Sequence, residues 1–291
     1  MRTGLLTVLA LVGFAANSLL CRAALAGGGR LIDAASFTGV RLVSGALVLT
    51  VLLRARSGRH TGGSWTSALA LFVYAAGFSL AYVRIPAGVG ALLLFGCVQA
   101  TMLGTGLARG ERPRAREVAG LLLALGGLVG LTAPGVSAPD PVGAALMVGA
   151  GVAWGVYSLR GRGNRNPLAA TADNFLRSVP MVAALSGVGL LVQETAHATG
   201  HGLALAVASG ALASGVGYSL WYAALPHLTA TRAAIIQLSV PMLAAAGGVL
   251  LLGETLTERL VLAGAALLTG VLLALSAKAV PRAPKVAAAR E

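Results

Sequence analysis

Between Gly4 and Ala279 the chain is a succession of ten apolar runs joined by links too short to hold a folded unit of their own. The runs are Gly4–Ala26, Asp33–Leu53, Trp65–Val83, Pro86–Leu107, Glu117–Ala133, Pro141–Leu159, Leu168–Val192, Gly202–Ala223, Ala230–Leu252 and Leu260–Ala279. About 20 apolar residues is the length of an α-helix that crosses the hydrocarbon core of a bilayer. Inside that core the backbone must satisfy its own hydrogen bonds, which restricts spanning structure to helices or closed barrels. Pro86 and Pro141 stand where runs begin and Pro134 follows one, the positions that proline's fixed φ and missing N–H favour. Charged residues make up 11% of the chain, against about 25% in soluble domains, and the mean hydropathy is +0.83. So few charges cannot cover a water-soluble protein of 291 residues. The reading is an all-α polytopic membrane protein with ten transmembrane helices.

The net charge of +13 would suggest nucleic acid for a soluble chain. In a membrane protein, basic residues instead gather in cytoplasmic links, so no nucleic-acid partner is expected. Placing the N-terminus in the cytoplasm puts fifteen basic residues inside: Arg2, Arg54, Arg56, Arg59, Arg109, Arg112, Arg114, Arg116, Arg160, Arg162, Arg165, Lys278, Arg282, Lys285 and Arg290. Three fall outside: Arg30, Arg84 and Arg259. This asymmetry supports an even span count, both termini in the cytoplasm, and a multi-pass protein of the plasma or inner membrane. Cys21 and Cys97 lie inside apolar runs without CxxC spacing and are read as packing residues.

The chain also repeats itself at a shift of about 140 residues. FSLAYVRIP (Phe78–Pro86) matches YSLWYAALP (Tyr218–Pro226) at Ser79/Ser219, Leu80/Leu220, Tyr82/Tyr222 and Pro86/Pro226. Gly110-Glu111 matches Gly253-Glu254, and Arg116 matches Arg259. GFAANSLLCR (Gly13–Arg22) matches AWGVYSLRGR (Ala153–Arg162) at Ser18/Ser158, Leu19/Leu159 and Arg22/Arg162. Each copy holds five helices. Five is odd, so the second copy is inverted in the membrane, a layout typical of secondary transporters. The expected units are a first repeat over 1–135, a second over 136–280, and a basic cytoplasmic tail over 281–291. The match also argues that the first run, which mimics a signal peptide at Ala24-Leu25-Ala26, is retained as half of a duplicated element.

These features resemble the EamA-type permeases of the drug/metabolite transporter superfamily. The resemblance rests on the ten-span layout of five plus five, the aromatic-polar stretches of helices one and six, and the proline-led fourth and ninth helices ending in Gly-Glu. It covers Gly4 to Ala279. It implies a central cavity between the halves, lined from both, and transport by alternating access. The superfamily exports amino acids, drugs, sugars and other metabolites. Pro180 and Pro241 have no proline counterparts in the first half, so the halves are expected to bend unequally.

Burying a charge in the bilayer costs roughly 2.5–3.5 kcal/mol on insertion scales, so polar residues deep in spans point to function. Asp33, Phe37, Arg41 and Ser44 share one helical face. Arg41 is read either as the group that holds a substrate carboxylate or phosphate, or as a partner of backbone carbonyls or a snorkelling side chain. Arg177 occupies the matching place in helix seven, with Asp173 one turn before it, a spacing that allows a structural ion pair or a protonation-coupled switch. Phe14, Asn17, Ser18 and Cys21 form one aromatic-polar stripe, and Trp154, Tyr157 and Ser158 form its mate. Gln99 and Gln237 are candidate binders, because a primary amide in lipid needs partners. The substrate-binding candidates are therefore Asn17, Ser18, Arg41, Gln99, Trp154, Tyr157, Arg177 and Gln237, with Asp173 for coupling. Tyr82 and Trp221 read as membrane-interface aromatics, and Arg22, Arg162 and Arg232 as anchors near span ends.

The expected function is export of a small polar metabolite, such as an amino acid or another anion-bearing solute. Neither a cofactor nor a metal is expected, and no phosphate-cradling motif is seen. The alternative is a membrane-embedded enzyme or lipid-processing protein using Glu194, His197 and His201 or Glu254 and Glu258, whose spacings are those of ordinary loop clusters. Glycines in helices five and ten suit packing against a second copy, as a homodimer, or against each other.

Overall fold

The computed structural model describes residues 2–26, 29–56, 59, 61–108, 115–135, 138–161, 164–191, 196–228, 236–237 and 239–276. Among them are ten helices. They are α1 Arg2–Leu25, α2 Ala34–Ala55, α3 Trp65–Tyr82, α4 Ala87–Ala108 and α5 Ala115–Thr132. The second set is α6 Pro141–Gly161, α7 Pro167–Leu191, α8 Gly200–His227, α9 Ser239–Leu252 and α10 Glu258–Ser276. No strand occurs among the described residues, where Ile32 and Ala198 form an isolated bridge. Six helices, α1, α2, α3, α4, α6 and α8, are long and apolar enough to cross a membrane. The apolar stretches Val118–Thr132 of α5 and Ser239–Leu252 of α9 are shorter.

Local chemistry sets the helix starts. Asp33 caps α2 by accepting the Ser36 N–H at 2.9 Å, Ser64 caps α3 through the Ser67 N–H, and Thr199 caps α8 through the Gly202 N–H. α8 is not uniform. It is α-helical over Gly200–Val207 and Gly217–Ala224, widened to a π-helix over Ala208–Val216 between them, and closed by a 3-10 turn at Leu225–His227.

The helices pack in a set of extensive pairs: α5 with α10, α3 and α4 with α6, α8 and α9 with α1, α2 with α7 and α8, α3 with α7, and α4 with α9. Small residues let the backbones approach. A Cβ at Gly210 in the π segment would lie 2.1 Å from both the Arg41 carbonyl oxygen and Ser44 Oγ of α2. A Cβ at Gly270 of α10 would lie 2.4 Å from the Gly120 carbonyl oxygen of α5, so this glycine belongs to an internal seam. Leu5, Leu47, Val51, Leu250 and Leu251 turn outward, as the lipid-facing side of a membrane bundle requires.

The links are joined at both ends of the bundle. At one end the α1–α2 and α7–α8 links are tied through Asp33, whose N–H donates to the His197 carbonyl at 3.0 Å and whose carboxylate accepts the His197 N–H at 3.1 Å. The same end holds an Arg84–Asp140 ion pair at 3.6 Å and an Arg259 hydrogen bond to the Ala133 carbonyl. At the other end the link before α3 is held to α7: Asp173 accepts the Gly63 N–H and Asn174 accepts the Ser64 N–H. Arg160 of α6 donates to Ser64, Thr66 and Ser67 there.

Candidate functional site

Arg41 lies in the second turn of α2, and its side chain points into the bundle, where the residue is 1% exposed. Its Nη2 donates to the Tyr74 hydroxyl at 2.9 Å. The guanidinium carbon sits 5.2 Å from the Tyr74 ring centroid and 4.8 Å from that of Phe78, so two aromatic faces of α3 carry part of the charge. Such contacts are worth about 2 kcal/mol when desolvated. No described carboxylate pairs with Arg41, and its Nε and Nη1 have no hydrogen-bond partner. A buried donor left unmet costs about 1–3 kcal/mol.

An aromatic and polar network surrounds it. Asn17 of α1 donates to the same Tyr74 hydroxyl at 3.5 Å and accepts from Ser209 of the π segment. Trp154 of α6 stands against three tyrosines, with ring centroids 4.7 Å from Tyr74, 5.2 Å from Tyr157 and 5.5 Å from Tyr218. Tyr157 and Tyr218 stack nearly parallel to it, at interplanar angles of 28° and 19°. Phe14 and Phe175 pack edgewise or tilted on Tyr218. The Tyr157 hydroxyl meets Thr171 at 3.3 Å and Asn174 at 3.5 Å, and Thr171 meets the Tyr222 hydroxyl at 2.9 Å. The network thus draws on α1, α2, α3, α6, α7 and α8.

The sequence candidates divide accordingly. Asn17, Arg41, Trp154 and Tyr157 are brought together in this network. Ser18 is buried one residue along α1, against the Tyr82 hydroxyl. Arg177 is not in the network: it is one-third exposed, pairs with Asp173 at 3.0 Å, and lies over the Trp65 ring at 5.5 Å. Gln99 lines the seam of α4 with α5 and α10, beside Gly96, Gly120 and Gly270, because its position on α4 faces away from α6. Gln237 is half-buried on the helical turn ahead of α9, and none of the network contacts above reaches it. Glu194, Arg162 and Arg232 lie outside the described residues.

Three expectations from residue type are corrected. Tyr82 and Trp221, read as membrane-interface aromatics, are 0% and 7% exposed. Tyr82 donates to the Ala87 carbonyl and packs edge-on to Phe78, while Trp221 packs on Phe14. Arg22, read as an anchor, is ion-paired with Glu254 at 3.1 Å. Tyr74, Tyr218, Ser209, Thr171 and Asn174 complete the network and are not among the sequence candidates. Asp33 sits outside the spans. Burial works to raise its carboxyl, but hydrogen bonds from Ser36 and His197 win, and it is held below the ordinary aspartate range.

Known proteins give an independent comparison. The sequence pattern of the EamA-like transporter family matches residues 141–276, the stretch that folds as α6 to α10. An uncharacterized protein of Pseudomonas aeruginosa is 56% identical over 277 residues, covering 94% of this chain and 95% of that protein. The threonine/homoserine exporter RhtA of Escherichia coli K12 is 31% identical over 241 residues, covering 78% of this chain and 77% of RhtA. RhtA of Salmonella typhimurium is 31% identical over 247 residues, covering 80% and 79%. One solved crystal structure shares the fold with a TM-score of 0.64, at 20% identity over 94% of this chain and 96% of the other.

Proposed function

The chain belongs to the EamA-like transporter family, and from that premise we propose that it is a secondary transporter exporting a small carboxylate-bearing metabolite, an amino acid first of all. Membership in this family makes it a membrane transporter rather than an enzyme. The observation that carries the finer reading is Arg41: a fully buried guanidinium with two unmet donors and no neutralising carboxylate among the described residues. A substrate carboxylate would meet those donors by charge-assisted hydrogen bonds, which are about twice as strong as neutral ones. Asn17, Ser18, Trp154 and Tyr157 would line the site beside it. Threonine and homoserine are the first solutes to test, because RhtA is named for their export.

Alternating access between two inverted five-helix repeats, 1–135 and 136–280, is part of this reading. It is supported by the pattern of helix pairs. Exchanging each helix with the one five places along turns α3–α6 into α8–α1, α4–α6 into α9–α1 and α3–α7 into α8–α2, all of which are extensive pairs. The basic links support a reading with both termini on the cytoplasmic side of the plasma or inner membrane. If a proton gradient drives export, Asp173 is the candidate carboxylate, one residue before Asn174, which meets the Tyr157 hydroxyl. A homodimer would use faces other than the α5–α10 seam.

Reconstitution in liposomes with labelled amino acids, with and without a pH gradient, tests the proposal. Movement of a carboxylate-bearing solute above that in empty liposomes, lost in Arg41→Ala, is the expected result. Movement of no solute, or transport unchanged in Arg41→Ala, refutes it.

A further inference from the structure

At one end of the bundle, Glu254 joins parts of the chain far apart in sequence. Its carboxylate accepts the Arg22 Nε–H at 3.1 Å and takes the Ala87 N–H at the start of α4 at 3.0 and 2.8 Å on its two oxygens. Arg22 Nη1 continues to the Tyr82 carbonyl at 2.8 Å and the Val83 carbonyl at 3.4 Å. The turn that delivers Glu254 needs Gly253 at φ +66° and leaves room for the carboxylate at Gly248, where a Cβ would lie 2.4 Å from Glu254 Oε2. The side chains of Arg22 and Glu254 are 18% and 12% exposed, so water screens the pair weakly.

At the other end, Asp173 repeats the chemistry. Its Oδ1 accepts Arg177 Nε–H at 3.0 Å and its Oδ2 accepts the Gly63 N–H at 3.1 Å. Each device is a carboxylate from the 136–280 segment that pairs with an arginine and caps a backbone N–H of the 1–135 segment. Arg41 and its aromatic network lie between them.

We infer that Glu254, bound to Arg22 and the Ala87 N–H, and Asp173, bound to the Gly63 N–H and oriented by Arg177 on its own helix, are the two clamps that close opposite ends of the pathway, so that access from each side requires release of one clamp while the other holds. The inference rests on the alternating-access reading above. A static ion-pair network would loosen the bundle in the same sense at either end, whereas opposed clamps set one equilibrium, so weakening one shifts the population away from the opening governed by the other.

Cys21 is a native reporter. It is 0% exposed, one residue from Arg22 on α1, beside Ser79 and within electrostatic reach of Arg41. In a Cys97→Ala background in liposomes, a membrane-impermeant maleimide is applied from the Glu254 end. Glu254→Gln and Arg22→Gln should each raise the Cys21 labelling rate about fivefold or more, the lower end of ordinary coupling energies. Asp173→Asn should lower the rate, and Glu258→Gln, an exposed carboxylate at the same end, should leave it unchanged. Size-exclusion profiles and melting curves identify any variant that fails to fold. If Glu254→Gln and Asp173→Asn both raise labelling, or folded Glu254→Gln and Arg22→Gln both leave it unchanged, the clamp assignment is overturned. The readout needs no substrate, so a wrong solute class at Arg41 would leave it intact.

Discussion

Replacing Arg41 with methionine separates a binding role from a structural one, because only the structural role predicts a large loss of stability in the apo protein. Methionine keeps most of the length of the side chain and removes the charge. What the folded protein loses is one hydrogen bond to Tyr74 and two cation–π contacts, to Tyr74 and Phe78, together about 5.5–7 kcal/mol at about 2 for each desolvated contact and 1.5–3 for the charged hydrogen bond. What it gains is relief of two buried, unmet donors at Nε and Nη1, about 2–6 kcal/mol at 1–3 each, and of the desolvation of a cation that has no counter-charge among the described residues. The terms nearly cancel, so the apo protein should melt at an unchanged or slightly higher temperature. Substrate binding has no such compensation. Two charge-assisted bonds at about 1.5–3 kcal/mol each amount to a loss of affinity of roughly 100-fold or more. The assay is thermal unfolding in detergent with and without saturating amino acid. The wild-type protein should be stabilised by ligand and Arg41→Met should not, with apo curves alike. A large fall in apo melting temperature with ligand stabilisation retained would show that Arg41 is structural, and would refute the reasoning.

Other substitutions follow from the same contacts. Gly210→Val would drive a Cβ into Ser44 Oγ and into the Arg41 carbonyl oxygen, a backbone atom that cannot swing away; overpacking of this kind costs about 1–3 kcal/mol or more, and yield of folded protein on size exclusion should drop sharply. Trp154→Ala removes the ring that meets Tyr74, Tyr157 and Tyr218 and should cost about 3–5 kcal/mol, read as a lower melting temperature, with substrate affinity falling as well. Asp33 is held below its ordinary range by the Ser36 and His197 hydrogen bonds. Its contribution is therefore fully present above the unfolded aspartate value and is lost as pH falls through the lower folded value. Melting curves taken from neutral to acid pH should show that part of the acid sensitivity disappear in Asp33→Asn.

The helices were readable because their signal is local. An apolar run bounded by proline or glycine carries its own boundaries: Trp65–Val83 became Trp65–Tyr82, and Pro141–Leu159 became Pro141–Gly161. The Asp173–Arg177 pair was readable for the same reason, being four residues apart on one helix. Arg41 stood out because a mid-span cation is costly wherever it points. What hydropathy cannot tell is which face of an all-apolar helix meets protein and which meets lipid. Residue type alone therefore points Gln99 to the site, although it lines the α5–α10 side of α4. Arg22 and Glu254 are 232 residues apart, and nothing local to either announces the other. Tyr82 and Trp221 sit at span ends, where residue type favours the membrane interface, yet packing of α1 against α3 and α8 buries them. The π segment of α8 is likewise a product of tertiary contact, where Gly210 lets α8 close onto α2 and Ser209 reaches Asn17.

The most direct test of the central claim measures binding of the amino acid selected by the liposome panel and of its carboxamide, each to the wild-type protein and to Arg41→Met. The four affinities form a cycle that isolates the contact between the substrate carboxylate and Arg41. The account predicts that the wild-type protein prefers the acid over the amide by about tenfold to 100-fold, and that this preference collapses to near unity in Arg41→Met. A preference that persists undiminished in Arg41→Met would place the carboxylate elsewhere and contradict the account.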